Sequence, residues 1–252
     1  MILAYSKGSD IVSNSVMRNK YWELYDTERI MKQLDALNAT IGNKTLVFID
    51  VGANIGWFTL AAASKGYKVQ AFEPFSTNIF GLNFSLCLNP KYDQLVTINK
   101  VALGSKNASC ALFSENNNQE NGQIECGEGD RPHAIFRENI TVTTLDSFVG
   151  TFPENYYLGV MKIDIEGYQY YMFQGSKQFF SKYQVPYILM EWAPGYMKDL
   201  NYTEQMMFDI IHEVGYDIRL KSFDGEIIAN YKTPQGLPYI RDYENIYMTR
   251  RI

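Results

Sequence analysis

The chain has 252 residues, 46% of them hydrophobic, and a formal net charge of −5. That is enough apolar material for a large α/β core, while the longest apolar runs are only strand-sized, so no membrane-spanning helix is expected. The negative balance and the lack of a dense Lys/Arg cluster argue against a nucleic-acid partner.

In chain order, residues 10–37 read as helical, because Tyr25, Ile30, Leu34 and Leu37 recur at roughly helical spacing between charges. Residues 1–44 are therefore expected to form an N-terminal helical segment. A strand over 45–50 leads into a helix over 55–65 that stops at Gly66. A strand over 68–73, a helix over about 76–88 stopped by Asn89-Pro90, and a strand over 95–101 complete a βαβαβ half. Residues 104–142 change character, being rich in Asn, Gly, Ser and Glu, and read as a polar β-hairpin and loop excursion. A strand near 139–143 precedes Thr144-Leu145-Asp146-Ser147-Phe148, where Asp146 reads as a capping residue. Then follow a strand over 158–164, a helix over about 168–183, a strand over 187–191 and a helix over 203–213. Two last strands, near 216–221 and 245–250, flank a loop over 230–238. The expectation is one domain over 1–252, with a mostly parallel, Rossmann-like seven-stranded sheet, one reversed strand and helices on both faces. Cys87, Cys110 and Cys126 are odd in number and lack a CxxC pair. They read as reduced thiols, which with no visible secretory leader predicts a cytoplasmic chain.

Two stretches carry chemistry. In LVFIDVGANIGWFTL (46–60) an apolar strand ends in Asp50, and a turn punctuated by Gly52 and Gly56 opens into a helix. The next strand ends in Glu73, about twenty residues on, where a carboxylate can accept from both ribose hydroxyls. The pattern is Asp-x-Gly-x-Asn-x-Gly, with Asn54 where a dinucleotide loop would place glycine. A pyrophosphate fits such a turn poorly, whereas S-adenosylmethionine (SAM) carries no phosphate. The turn thus reads as a SAM site, with an NAD-dependent oxidoreductase as the rival. Backbone N–H groups after Gly52 would face the methionyl carboxylate, and Ala102-Leu103 would border the adenine.

The second stretch is Met161-Lys162-Ile163-Asp164-Ile165-Glu166-Gly167. The crossover rule places its strand beside the first one, in mid-sheet, where strands normally read as continuous apolar runs. Lys162, Asp164 and Glu166 interrupt that at period two, so they must pair or face the cleft beyond the strand ends. Glu191, ending the fifth strand, is a further candidate for the same side.

DVGANIGWFTL, AFEP with Asn78 four residues on, TTLDSF, KIDIEGY followed by Gln174-Gly175, and ILMEW together resemble the FkbM-type SAM-dependent methyltransferases, from about Asp10 to Met248. The resemblance implies the class I methyltransferase fold and O-methylation, most often of sugar hydroxyls in glycans, glycolipids or natural products. It implies cofactor contacts from Asp50, Gly52, Asn54, Gly56, Trp57, Glu73, Pro74, Asn78, Ala102, Leu103 and Asp164. Gln169 departs from the acid that many relatives carry after the EG-aromatic pair. A sugar hydroxyl needs a base, for which Asp164 or Glu166 is the candidate, with Lys162 and Glu191 beside them and His133 as rival. Mg²⁺ on Asp164 and Glu166 stays open, although no dedicated ligand cluster shows in the sequence. A catalytically inactive SAM-binding module is the non-enzyme alternative.

Overall fold

The computed structural model describes residues 2, 4, 11–115, 118–126, 135–228 and 244–251. The N-terminal segment forms two helices, α1 (Ile11–Asn19) and α2 (Leu24–Asn38), where one helical run was predicted. The break falls at Lys20 and Glu23, both with positive φ.

A seven-stranded sheet follows. It contains β1 (Thr45–Val51), β2 (Lys68–Phe72) and β3 (Val96–Asn99), with helices α3 (Trp57–Ser64), α4 (Ser76–Cys87) and α5 (Pro90–Asp93) between them. The central strand β1 reads as an apolar run because both its faces are covered. Val47, Ile49 and Val51 join the core on one face, and Leu46 and Phe48 the core on the other. The strand predicted over 95–101 is shorter and ends at Asn99; β4 (Ala102–Leu103), just beyond it, leaves the main sheet and pairs with β7 (Ile135–Thr143).

β7 also pairs antiparallel with β5 (Ala108–Glu115), which pairs with β6 (Asn118–Glu125). The polar excursion is therefore a four-stranded sheet in the order β4-β7-β5-β6, with its own small core of Phe75, Cys110, Leu112, Ile124, Ile140 and Val142. Cys110 and Cys126 form a disulfide, while Cys87 is free and exposed. The β5–β6 register pairs Ala111 with Glu125 and so sets the two cysteines opposite each other, a proximity that chain spacing does not reveal. The reduced-thiol reading is corrected for this pair. Disulfides persist in oxidising surroundings, so thiol content no longer argues for a cytoplasmic chain.

The chain then returns through β8 (Tyr156–Ile163), α6 (Gln169–Gln174), α7 (Lys177–Tyr183), β9 (Tyr187–Trp192), α8 (Pro194–Met197), α9 (Glu204–Glu213), β10 (Tyr216–Arg219) and β11 (Glu244–Arg250). One helix was predicted over 168–183. It is broken because Gly175 packs against the chain at Gly104, where a Cβ would lie 2.2 Å from the Gly104 carbonyl oxygen. Asp146 caps the second piece, accepting from the Phe179 N–H at 2.8 Å, as a capping role requires. The sheet order is β10-β11-β9-β8-β1-β2-β3. All neighbours are parallel except β11, which runs antiparallel to both β9 and β10. β8 lies beside β1, as the crossover rule requires. Among the described residues no helix is long and apolar enough to cross a membrane.

Candidate active site

A cavity of about 380 Å³ opens beyond the carboxyl ends of β1, β2, β8 and β9, within the usual size of small-molecule sites. Gly52, Asn54, Trp57, Glu73, Pro74, Ala102 and Leu103 line one part of it; Lys162, Asp164, Glu166 and Glu191 line another. The second sheet contributes Leu112, Gly122 and Ile124.

The turn after β1 is built from backbone. Gly52, Asn54 and Gly56 have φ of 79°, 51° and 88°, conformations natural to glycine and tolerated by asparagine. A Cβ on Gly52 would sit 1.7 Å from the Asp164 carbonyl oxygen. The glycine is thus needed for the close approach of the two turns. The N–H groups of Gly52 and Ala53 donate to Phe72 O, and that of Asn54 donates to Glu73 Oε2 at 2.8 Å. Those of Ile55 and Gly56 donate to Asn54 Oδ1 and Ala53 O. The turn therefore satisfies its own donors, and the first-turn N–H groups of α3, from Trp57 on, are those without an intrahelical acceptor.

Glu73 closes β2 and stitches this turn to the next, accepting from the N–H groups of Asn54 and Phe75. Burial pushes its carboxyl up to about 7, against the pull of those two N–H groups and of the Asn78 side chain. Glu73 is nonetheless among the residues that line the cavity. Three expected cofactor contacts are not among the residues that line the cavity: Gly56, where a Cβ would meet Leu82, Asp50 and Asn78. Asp50 is wholly buried and accepts from Thr59 Oγ1 at 2.6 Å, tying β1 to α3; burial raises its carboxyl to about 6. Asn78 is buried on α4 and acts on Glu73.

The turn after β8 is built from side chains. Lys162 is buried, pairs with Asp164 Oδ2 at 2.7 Å and lies over the Phe58 ring at 4.7 Å. Burial opposes its charge, but Asp164, Glu23 and Asp50 hold its pKa above the ordinary lysine value. Glu166 has φ of 51° and Gly167 of 88°, which bends the chain sharply after Asp164. One carboxylate oxygen each from Asp164, Glu166 and Glu191 lie within 4.8 Å of one another, a set that could hold a metal ion. Burial, then Asp164 and Glu166, push the Glu191 carboxyl well above its usual value. Gln169, where relatives carry an acid, is buried and donates to the Glu191 carbonyl oxygen at 3.4 Å, so it braces the end of β9.

Sequence reading missed Glu23. It caps α2 in a left-handed conformation (φ 38°) and lines the cavity with Trp22 and Asn245. Burial raises its carboxyl to about 7, although Lys162 pulls the other way. Nothing in its local pattern distinguishes it from an ordinary helix-start acid. His133, the rival base, lies outside the described residues.

The family model of the methyltransferase FkbM domain matches residues 50–218. No curated protein matches the sequence. Among solved structures, the bifunctional kinase-methyltransferase WbdD aligns with a TM-score of 0.52 at 13% identity, over 98% of this chain and 44% of that one. The methyltransferase FkbM from Methylobacillus flagellatus KT gives 0.47 at 15% identity, over 82% and 43%. The magnesium protoporphyrin IX methyltransferase from Synechocystis PCC 6803, solved with bound S-adenosylhomocysteine, gives 0.46 at 11%, over 98% and 90%. The chain spans less than half the length of the first two. The matched span holds both turns after β1 and β8, and by that match the chain belongs to the FkbM family of SAM-dependent methyltransferases.

Proposed function

We propose that the chain moves the methyl group of SAM to a hydroxyl group of a sugar in a glycan, glycolipid or natural product. The observation that carries this is the single cavity joining the Gly52–Glu73 turn to the Lys162–Asp164–Glu166–Glu191 carboxylates. In this reading Glu73 holds the ribose, Ala102 and Leu103 border the adenine, and Asn54, Gly56, Trp57 and Pro74 shape the same end. The sulfonium already makes the methyl carbon electrophilic, so the protein aligns an in-line attack and handles one proton. The acceptor oxygen bonds to the methyl carbon while the carbon–sulfur bond breaks. The electron pair stays on sulfur, giving S-adenosylhomocysteine, and the hydroxyl proton passes to Asp164 or Glu166. Lys162 fixes Asp164, and Glu191 lines the acceptor side. The net charge of −5 favours a neutral glycan or small-molecule acceptor over nucleic acid.

The test incubates the protein with methyl-labelled SAM and panels of nucleotide-sugars, glycans and RNA. Label in a sugar methyl ether supports the reading. SAM binding without transfer to any acceptor favours the inactive-module alternative, and label in RNA overturns the acceptor class.

A further inference from the structure

We propose that Asp164, Glu166 and Glu191 bind one divalent cation of the hard, oxygen-seeking kind, Mg²⁺ or Mn²⁺. Their three oxygens converge within 4.8 Å of one another. Around a cation with ligands at about 2.1 Å, neighbouring octahedral ligands lie roughly 3 Å apart and opposite ones roughly 4.2 Å; at about 2.4 Å the separations become roughly 3.4 and 4.8 Å. The trio therefore lies within reach of one coordination shell, and closes by at most about 0.6 Å around ions of the smaller size.

A second observation is independent of that clustering. Oε2 of Glu191 is shut off from solvent and has no hydrogen-bond partner. An enclosed carboxylate oxygen without a partner is costly, and a cation shared with Asp164 and Glu166 supplies the missing one. Charge points the same way. Lys162 is the one cationic side chain among the described residues that line the cavity, and it pairs with Asp164 Oδ2. Glu23 adds a further carboxylate to the same lining. The donor set is all oxygen, which suits Mg²⁺ or Mn²⁺ and not a thiolate- or imidazole-seeking metal.

The anchors are firm. Asp164 donates its N–H to Val51 O, and Gln169 holds the backbone of Glu191. Three protein ligands leave coordination positions open toward the cavity, where acceptor hydroxyls could complete the shell. The site rests on the carboxylates alone, so it stands or falls separately from methyl transfer.

The experiment titrates the EDTA-stripped full chain with Mn²⁺ in the absence of SAM. Free Mn²⁺ is followed by electron paramagnetic resonance, with Mg²⁺ as competitor. One site per chain is expected, displaced by Mg²⁺ and weakened at least about tenfold in Glu191→Gln. Glu213→Gln, a surface acid paired with Lys177, should bind as the native chain does. If Glu191→Gln does not fold by circular dichroism, Glu166→Gln takes its place and should show the same loss. Absence of a saturable Mn²⁺ site in the native chain, or one unaffected by these changes, overturns the proposal. It would mean that the trio is neutralised by a shared proton instead.

Discussion

The turns after β1 and β8 sit side by side at the same edge of the sheet, yet they are made of different materials. The first, Gly52 to Gly56, is set by its backbone: its N–H groups are taken up by Phe72, Glu73, Asn54 and Ala53, and it leaves no room for a Cβ at Gly52. The second, Asp164 to Gly167, is a side-chain structure that concentrates carboxylates around one buried ammonium. Shape is fixed by the first and charge by the second. Substitutions in the first should therefore cost folding or cofactor affinity, and substitutions in the second should cost turnover or cation binding.

The largest effect is expected where the two turns touch. Gly52→Val places a branched carbon against the Asp164 carbonyl, 1.7 Å away for Cβ alone, at a φ of 79°. Overpacking and backbone strain together should cost about 3 kcal/mol or more. Urea unfolding should show this loss, and SAM binding should vanish with it. A variant of native stability that still binds SAM would refute the close-approach account.

Next come the carboxylates. Asp164→Asn and Glu166→Gln keep shape but remove charge, and one of them should lower kcat by about 10²–10⁴ while SAM affinity holds. Near-normal turnover in both, once an acceptor is known, would break the contrast between shape and charge.

Glu73 gives a smaller effect, which combines loss of the cofactor contact with loss of its bonds to the Asn54 and Phe75 N–H groups. Glu73→Ala removes a charge-assisted contact worth roughly 1.5–3 kcal/mol, so SAM affinity should fall at least about tenfold. Because burial raises this carboxyl from 4.5 to about 7, the folded chain holds its proton more tightly than the unfolded one. The resulting stabilisation is full below the unfolded value and is lost as pH rises through about 7. SAM affinity should move the opposite way, climbing as pH rises toward about 7 and then levelling, since the ionised carboxylate is the better ribose acceptor. Glu73→Gln should flatten that climb in calorimetric titrations, and a persisting climb would assign it elsewhere.

The mildest effect concerns the second sheet. Replacing the β5–β6 hairpin by a short turn removes Leu112, Gly122 and Ile124 from the cavity wall. It should change acceptor KM or preference with SAM affinity nearly intact. Equal loss of both would make the hairpin a structural brace.

The first turn was legible in the sequence because left-handed backbone demands glycine or asparagine at fixed spacing, and Gly52, Asn54 and Gly56 supply it. The second was legible because charges at period two contradict a mid-sheet strand. What escaped depends on long-range packing. Glu23 reaches the cavity because α2 docks beside β11, with Asn245 bonded to Asp26 at 2.8 Å. Asp50 and Asn78, expected as ligand contacts, are buried off the cavity lining, where Asp50 bonds Thr59 and Asn78 bonds Glu73. The helix over 168–183 has no internal proline and breaks only because Gly175 meets Gly104. The excursion was legible as a hairpin with a strand near 139–143, but its assembly into one four-stranded sheet, and with it the Cys110–Cys126 bridge, depends on a strand register that chain spacing does not show.

A turn with Asn54 between Gly52 and Gly56 should make this cavity accept SAM and refuse a dinucleotide. Calorimetric titration of the purified chain with SAM, S-adenosylhomocysteine and NAD tests it most directly. SAM and S-adenosylhomocysteine should each saturate one site per chain, with NAD giving no binding heat. Saturation by NAD, with none by SAM, would contradict it.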